Sequence, residues 1–128
     1  MILSKVIEQV RELKNGSEVS DERLRQMINT VEHMILTDIV SGREGDTELL
    51  EQYGGVIDME SDGDTELFAP APYEEIYAQY CAAQIDLLFE ESERYMNDAI
   101  VYNNTYNSLK RYWWQGHRQN KRYAYFRG

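Results

Sequence analysis

One stretch organises this chain: residues 64–77 read Asp64-Thr-Glu-Leu-Phe-Ala-Pro-Ala-Pro-Tyr-Glu-Glu-Ile-Tyr77. Pro72 suits the first turn of a helix, because proline has no amide hydrogen to leave unpaired there. Apolar residues then recur every three or four positions to about residue 116. One helix over residues 72–116 would be about 68 Å long, more than the roughly 30–40 Å of a compact domain of this size. Either this helix breaks, near Asn97-Asp98 or Asn103-Asn104, or it projects into neighbouring subunits; we favour a long helix with at most a kink.

The second half of this helical region carries an aromatic seam. Its members fall at alternating steps of four and three, as in a heptad repeat: Tyr95, Ala99, Tyr102, Tyr106, Leu109 and Trp113. The seam predicts an inter-subunit helix contact through Tyr95, Tyr102 and Tyr106. The run Tyr112-Trp113-Trp114 cannot turn all three rings inward, so we expect at least one of them to meet a partner chain.

Two shorter helices precede this region. Residues 2–14 place their apolar side chains on one stripe and end at Asn15-Gly16, which tolerates the conformation found just past helix ends. Ser17 or Ser20 can cap a second helix, which stops near Ser41-Gly42. The fold class is therefore predicted to be all-α: a helical hairpin plus a long C-terminal helix, with a loop-rich acidic insertion and an extended basic tail. We expect a helical domain over residues 1–116, with the loop at about 43–71, and a tail over residues 117–128.

Composition narrows the class of protein. The chain has 128 residues and a net charge of −10, enough length for one domain with a modest core. Its single cysteine, Cys81, cannot form an internal disulfide, so we expect a reducing cytoplasm. The sequence shows neither a secretory signal pattern nor an apolar run of the roughly 20 residues that a membrane span needs, so no membrane partner is expected.

Charge is distributed unevenly along the chain. Residues 43–75 hold eleven acids against one base, whereas residues 110–128 hold six bases and no acid. The acids predicted to line a lumen or an inter-subunit loop are Glu44, Asp46, Glu48, Glu51, Asp58, Glu60, Asp62, Asp64 and Glu66. Such opposite ends can attract one another between subunits or attract different partners.

The basic tail interleaves cations with aromatic rings. This composition suits docking into an acidic groove of another protein, and it equally suits nucleic-acid backbones. We favour protein docking, because the rest of the molecule is acidic. The predicted docking residues are Lys110, Arg111, Trp113, Trp114, Arg118, Lys121, Arg122, Tyr123, Tyr125, Phe126 and Arg127.

Catalytic and metal motifs are weak. Residues 58–66 resemble the opening of an EF-hand loop, but the twelfth position is Ala69 instead of a bidentate glutamate, so a solvated acidic loop is the better interpretation. His33 and His117 have no partner at zinc-ligand spacing. Cys81 lies on an apolar helical stripe and is expected to be a core residue. We therefore expect no enzymatic activity, no metal and no cofactor.

The stretch at 64–77, followed by Ala83-Gln-Ile-Asp86 and Tyr102-Asn-Asn-Thr-Tyr106, resembles the head–tail connector (adaptor, or head-completion) proteins of tailed phages and prophages. The likeness covers roughly residues 64–113. It implies a structural virion protein of the neck, made in the host cytoplasm, typically as a ring of twelve copies below the portal protein. Implied partners are other copies, the portal, a stopper or tail-completion protein, and packaged DNA that passes without sequence-specific binding.

On this reading, residues 44–66 would face the lumen or the next ring, and residues 110–128 would reach the portal. Two alternatives remain open. The chain could be a small phage or bacterial regulator that binds nucleic acid through its basic aromatic tail. It could also be a capsid-associated assembly factor that is absent from the finished particle.

Overall fold

The computed structural model describes residues 2–15, 18–40 and 66–127, with side chains at 2–15, 18–39 and 66–115. Four α-helices make up most of this part: α1, Leu3–Leu13; α2, Asp21–Met34; α3, Ile76–Leu88; and α4, Ser92–Arg127. A π-helical segment, Ile35–Val40, continues α2, and a 3-10 turn, Tyr73–Glu75, leads into α3. Within the described ranges the sole β-type pairing is an isolated antiparallel bridge between Ile2 and Glu66. The predicted all-α class is confirmed.

Local sequence explains where the first two helices lie. The side chain of Ser20, one of the two predicted caps, accepts a hydrogen bond from the Arg23 amide at 3.1 Å and so caps α2. Asp21 and Glu22 lie in the first turn of α2, where the helix dipole favours acids. The hairpin is looser than expected: Arg11 pairs with Asp21 across α1 and α2, but both helices bury their apolar faces mainly on α3.

The predicted long helix is wrong in one respect. The chain reverses at residues 89–91, so α3 and α4 form an antiparallel pair, and the break lies before both predicted positions, Asn97-Asp98 and Asn103-Asn104. The Glu91 amide donates to the Asp86 carbonyl at 2.9 Å and the Glu90 amide to the Leu87 carbonyl at 3.2 Å, the pattern of a Schellman motif. Glu90 holds the left-handed position of this motif, with φ of 58°. Because a non-glycine residue stands there, the sequence carries no obvious stop signal.

The core lies where α1, α2 and α4 surround α3. Leu67, Phe68 and Ala69 also enter it, so the stretch that precedes Pro72 is anchored by burial. Cys81 is fully buried on α3, as expected of a core residue. The fully buried large side chains are Tyr77, Leu3, Leu24, Ile28, Ile35, Leu36, Ile39, Ile76, Leu109, Val6, Val10 and Val31.

The last helix is long for so small a bundle. Its 36 residues correspond to about 54 Å at 1.5 Å per residue. The segment 117–127, predicted to be an extended tail, is instead the final part of α4 in its backbone conformation. The long-helix prediction therefore holds for α4 itself, although the helix begins at Ser92.

Several predictions fall outside the described residues. These are the acidic loop up to Asp64, the EF-hand-like positions before Glu66 and the stop near Ser41-Gly42. Among the helices that the structure describes, none combines the length and the hydropathy needed to cross a membrane.

Candidate interaction surfaces

A buried carboxylate fixes the return of the chain before α3. Glu32, on α2, is 5% exposed. Its Oε2 accepts the Phe68 amide at 2.9 Å, and its Oε1 accepts the Tyr77 hydroxyl at 2.7 Å. The same hydroxyl accepts the Ala69 amide at 2.9 Å. The Glu32 network therefore ties α2, the stretch before Pro72 and α3 together with four polar groups satisfied in the core.

Burial controls the ionisation of this network. Desolvation raises the pKa of Glu32 above its usual range, although hydrogen bonds from Tyr77 and Phe68 act in the opposite direction. Desolvation also raises the pKa of Tyr77 well above its usual value, and the neighbouring Glu32 adds to this. The role of Tyr77, the last residue of the 64–77 stretch, is therefore to stabilise the fold. Sequence reasoning missed Glu32, and its signal was an acid among apolar neighbours on the buried face of α2.

A second polar cluster joins the π-helical segment to α4. Asp38 accepts a hydrogen bond from the Tyr106 hydroxyl, and Lys110 Nζ lies 3.4 Å from Asp38 Oδ2. The Trp114 indole donates to the Ile39 carbonyl at 2.9 Å, and Lys110 Nζ lies 4.5 Å from the centre of the Trp114 ring. Ile39 lies at the C-terminal end of the π-helical segment, where backbone carbonyls have no partner within the helix, so its carbonyl can accept the Trp114 indole.

Part of the predicted docking set makes contacts within the chain. Lys110 and Trp114 are used within the chain, and Trp113 packs edge-on against Phe68 with ring centres 5.1 Å apart. Arg111 is exposed and stays available to a partner. Tyr112 is half exposed, although its ring contacts Tyr73 at 5.3 Å, so it is the ring of the three that faces outward.

The aromatic seam also packs inside the chain. Tyr102 contacts Tyr80 and Tyr106, with ring centres 5.3 and 5.9 Å apart. Desolvation raises the pKa of Tyr102 to about 12. Tyr102 and Tyr106, which were predicted to lie in an inter-subunit helix contact, are partly buried and pack against the chain's own core. Tyr95 is half-buried at the start of the same seam.

Exposed apolar side chains lie outside the aromatic seam. Around the α3–α4 turn and along α4, exposed apolar residues are Leu87, Leu88, Phe89, Met96, Ile100 and Val101, and Leu13 is exposed at the end of α1. We call these seven residues the aliphatic surface. Leu87, Leu88 and Phe89 are consecutive and all about half exposed, and adjoining exposed apolar side chains mark contact sites more often than isolated ones do. The sequence pattern missed the α4 part of this surface, because Met96, Ile100 and Val101 lie between the seam positions.

An ion-pair cluster lies beside this surface. Lys14 Nζ is 2.6 Å from Asp86 Oδ1 and 3.0 Å from Asp98 Oδ2, which joins α1, α3 and α4. Burial raises the pKa of Asp86, which is 1% exposed. Burial would also raise the pKa of Asp98, but hydrogen bonds from Asp86 and Lys14 lower it below its usual value. The aspartate of Ala83-Gln-Ile-Asp86 is therefore a packing residue of the helix junction.

The remaining predicted residues divide by position. Glu66 is exposed and takes part in the bridge with Ile2, while the other loop acids lie outside the described residues. For the docking set from Arg118 to Arg127, the structure describes the helical backbone of α4. Within the described ranges, no three His, Cys, Asp or Glu side chains are grouped to hold a metal ion.

Comparison of the chain with protein-family models, with curated proteins and with solved structures finds no match.

Proposed function

We propose that this chain is a structural virion protein, a head–tail connector that forms a ring below the portal and extends the DNA channel toward the tail. The observation that carries the proposal is α4. It contacts the bundle at Trp114, and its helical backbone continues through the thirteen residues 115–127, about 20 Å of basic and aromatic sequence. A small helical body with a long, basic final helix suits a protein whose task is to join other proteins.

The aliphatic surface supports self-association. A monomer gains nothing from exposing seven aliphatic and aromatic side chains on adjoining elements, whereas neighbouring subunits would remove them from water. In the proposed ring this surface lies between copies. The number of copies follows from the family resemblance, which implies twelve.

The acidic stretch supplies the second feature of a channel. Residues 44–66 would face the lumen or the adjacent ring, and their carboxylates would repel the phosphates of passing DNA. Repulsion lets DNA slide, since phosphate contacts would retain it. The partners in this account are the portal on one side and a stopper or tail-completion protein on the other.

The portal contact is assigned to the end of α4. We expect deletion of residues 115–128 to abolish attachment to the portal protein of the encoding phage, while the helical circular-dichroism signal and the cooperative thermal transition of the bundle are kept. The full-length protein is the reference, and co-sedimentation with purified portal is the measurement. Retained attachment by the folded deletion variant would refute this assignment.

The regulator alternative predicts different behaviour from the same segment. If the basic part of α4 binds nucleic acid, DNA affinity will fall steeply with salt, with a slope set by the number of phosphates contacted. A salt titration of the full-length protein with duplex DNA therefore separates the two functions. A shallow, weak response favours the connector, and a steep one on a small oligomer favours the regulator.

A further inference from the structure

A cavity of about 500 Å³ opens beside the aliphatic surface, where the end of α1 meets α3 and α4. Leu13 and Val101, both about half exposed, lie at this cavity. Its polar lining includes Glu12, Glu75 and Asp98 together with Lys14. The size is that of a site for one bulky side chain or a small ligand.

The cavity is electrostatically prepared for a cation. The lining holds three carboxylates and one ammonium, and that ammonium is already paired with Asp86 and Asp98 at 2.6 and 3.0 Å. Two further lining atoms, Gln9 Oε1 and Gln79 Oε1, are buried acceptors without a hydrogen-bond donor among the described residues. A guanidinium group supplies five N–H donors and a positive charge, so it complements both features.

We infer that the cavity, with its acidic rim, receives an arginine from residues 118–127 of a second copy of this chain. The first argument is charge, since this segment carries Arg118, Lys121, Arg122 and Arg127 and no acid. The second is aromatic and apolar complementarity, since Tyr123, Tyr125 and Phe126 of the segment can cover Leu13 and Val101.

The occupant must come from another molecule. Within one chain, Val101 and Arg118 belong to the same helix and are seventeen residues apart, about 26 Å along its axis. Later residues of the segment lie farther away, because α4 is continuous to Arg127. A helix cannot fold back on its own middle, so intramolecular occupation is excluded by the geometry of α4.

The contact that results is heterologous: the end of α4 on one copy meets the α1–α3–α4 junction of the next. Head-to-tail contacts of this kind close into rings when the rotation between copies allows it. The inference rests on the ring of the proposed function and deepens it by naming the two surfaces that join neighbouring subunits. In that ring the portal contact falls to those residues of 110–128 that the neighbouring cavity leaves uncovered.

Crosslinking of two marked copies tests the contact. Leu13→Cys protein is mixed with Tyr123→Cys protein and treated with a short bismaleimide at neutral pH. Cys81 does not react with the maleimide, because it is fully buried and burial raises the pKa of its thiol to about 12. We expect a crosslinked dimer from this mixture. The matched control is Met34→Cys, which is exposed on α2 and does not line the cavity; it should give at least tenfold less product.

Charge reversal supplies the second readout. Glu75→Arg should weaken self-association about fivefold in sedimentation velocity, the effect expected from one lost ion pair of about 1 kcal/mol. Glu8→Arg makes the same charge change on α1 outside the cavity and should leave the association constant within about twofold. When Glu75→Arg is added to the Leu13→Cys protein, its crosslink to Tyr123→Cys protein should weaken. Adding Arg122→Glu to the Tyr123→Cys protein should then restore the crosslink. Equal crosslinking at residues 13 and 34, or equal effects of the two reversals, overturns the inference.

The outcomes separate this inference from the proposed function. Attachment to the portal without the Leu13–Tyr123 crosslink refutes the inference and leaves the connector proposal standing. The crosslink in a protein that never attaches to the portal supports the inference and refutes the connector.

Discussion

Replacement of Tyr77 by phenylalanine removes a single oxygen atom from the centre of the Glu32 network. That hydroxyl donates to Glu32 at 2.7 Å and accepts the Ala69 amide at 2.9 Å. The variant loses the bond to the carboxyl and leaves the Ala69 N–H buried without a partner, and each loss costs about 1–3 kcal/mol. We therefore expect the free energy of unfolding to fall by about 3 kcal/mol, a large share of the roughly 5–15 kcal/mol of a typical domain.

The measurement is urea unfolding followed by circular dichroism, with a thermal scan in parallel. For a domain of this size the expected decrease in Tm is about 10 °C. Tyr95→Phe is the matched control: it removes a hydroxyl from a half-buried ring on α4 and should cost less than about 0.5 kcal/mol. If Tyr77→Phe and Tyr95→Phe lower the free energy of unfolding by the same amount, the anchoring role of the Glu32 network is wrong.

Three other substitutions probe the fold. Lys14→Met removes the cation that pairs with Asp86 and Asp98, so it should lower the free energy of unfolding by about 3 kcal/mol at pH 7. Part of this lost stability should return on acidification, because one of the two carboxyl groups then takes a proton. Burial raises the folded-state pKa of Glu32 above the ordinary 4.5 of the unfolded chain. The stability of the native protein should therefore fall relative to Glu32→Gln as the pH rises from about 4.5 through the folded-state pKa. Glu90→Gly relieves the left-handed backbone and should raise the free energy of unfolding by about 0.5–1 kcal/mol.

The free energy of unfolding of each variant is measured by denaturant unfolding, and a different result would contradict each prediction. A Lys14→Met variant as stable at pH 7 as the native protein would show that the ion pairs contribute nothing. A stability difference for Glu32→Gln that does not change between pH 4 and pH 8 would contradict the raised pKa. For Glu90→Gly the informative failure is a loss of stability, with Glu90→Ala as the control for removal of the charge.

Periodicity was sufficient for the elements with local signals. Helices α1 and α2 follow from their apolar stripes and from the Ser20 cap, since both depend on residues within one or two turns. The seam on α4 was also read correctly as an apolar stripe, because Leu109 and its neighbours do face a packed surface. Contact of the seam with a neighbouring copy stays a prediction; within the chain, Tyr102 contacts Tyr80 of α3 and Trp113 contacts Phe68.

The features that sequence reasoning missed depend on distant contacts or unusual backbone. The reversal after α3 uses a left-handed glutamate, so no glycine marks it. Glu32 is buried against partners that stand 36 and 45 residues away along the chain, so no local pattern reveals its burial. The aliphatic surface could not be recognised until the α3–α4 pairing had fixed which face of α4 was left uncovered.

The connector account is tested most directly by electron cryo-microscopy of the neck in virions of the encoding phage. The account predicts a ring of this chain directly below the portal, with the end of α4 at the portal side and neighbouring copies joined through the cavity between α1, α3 and α4. Virions whose neck lacks this chain would contradict it, as would density in which the chain stands apart from both the portal and other copies.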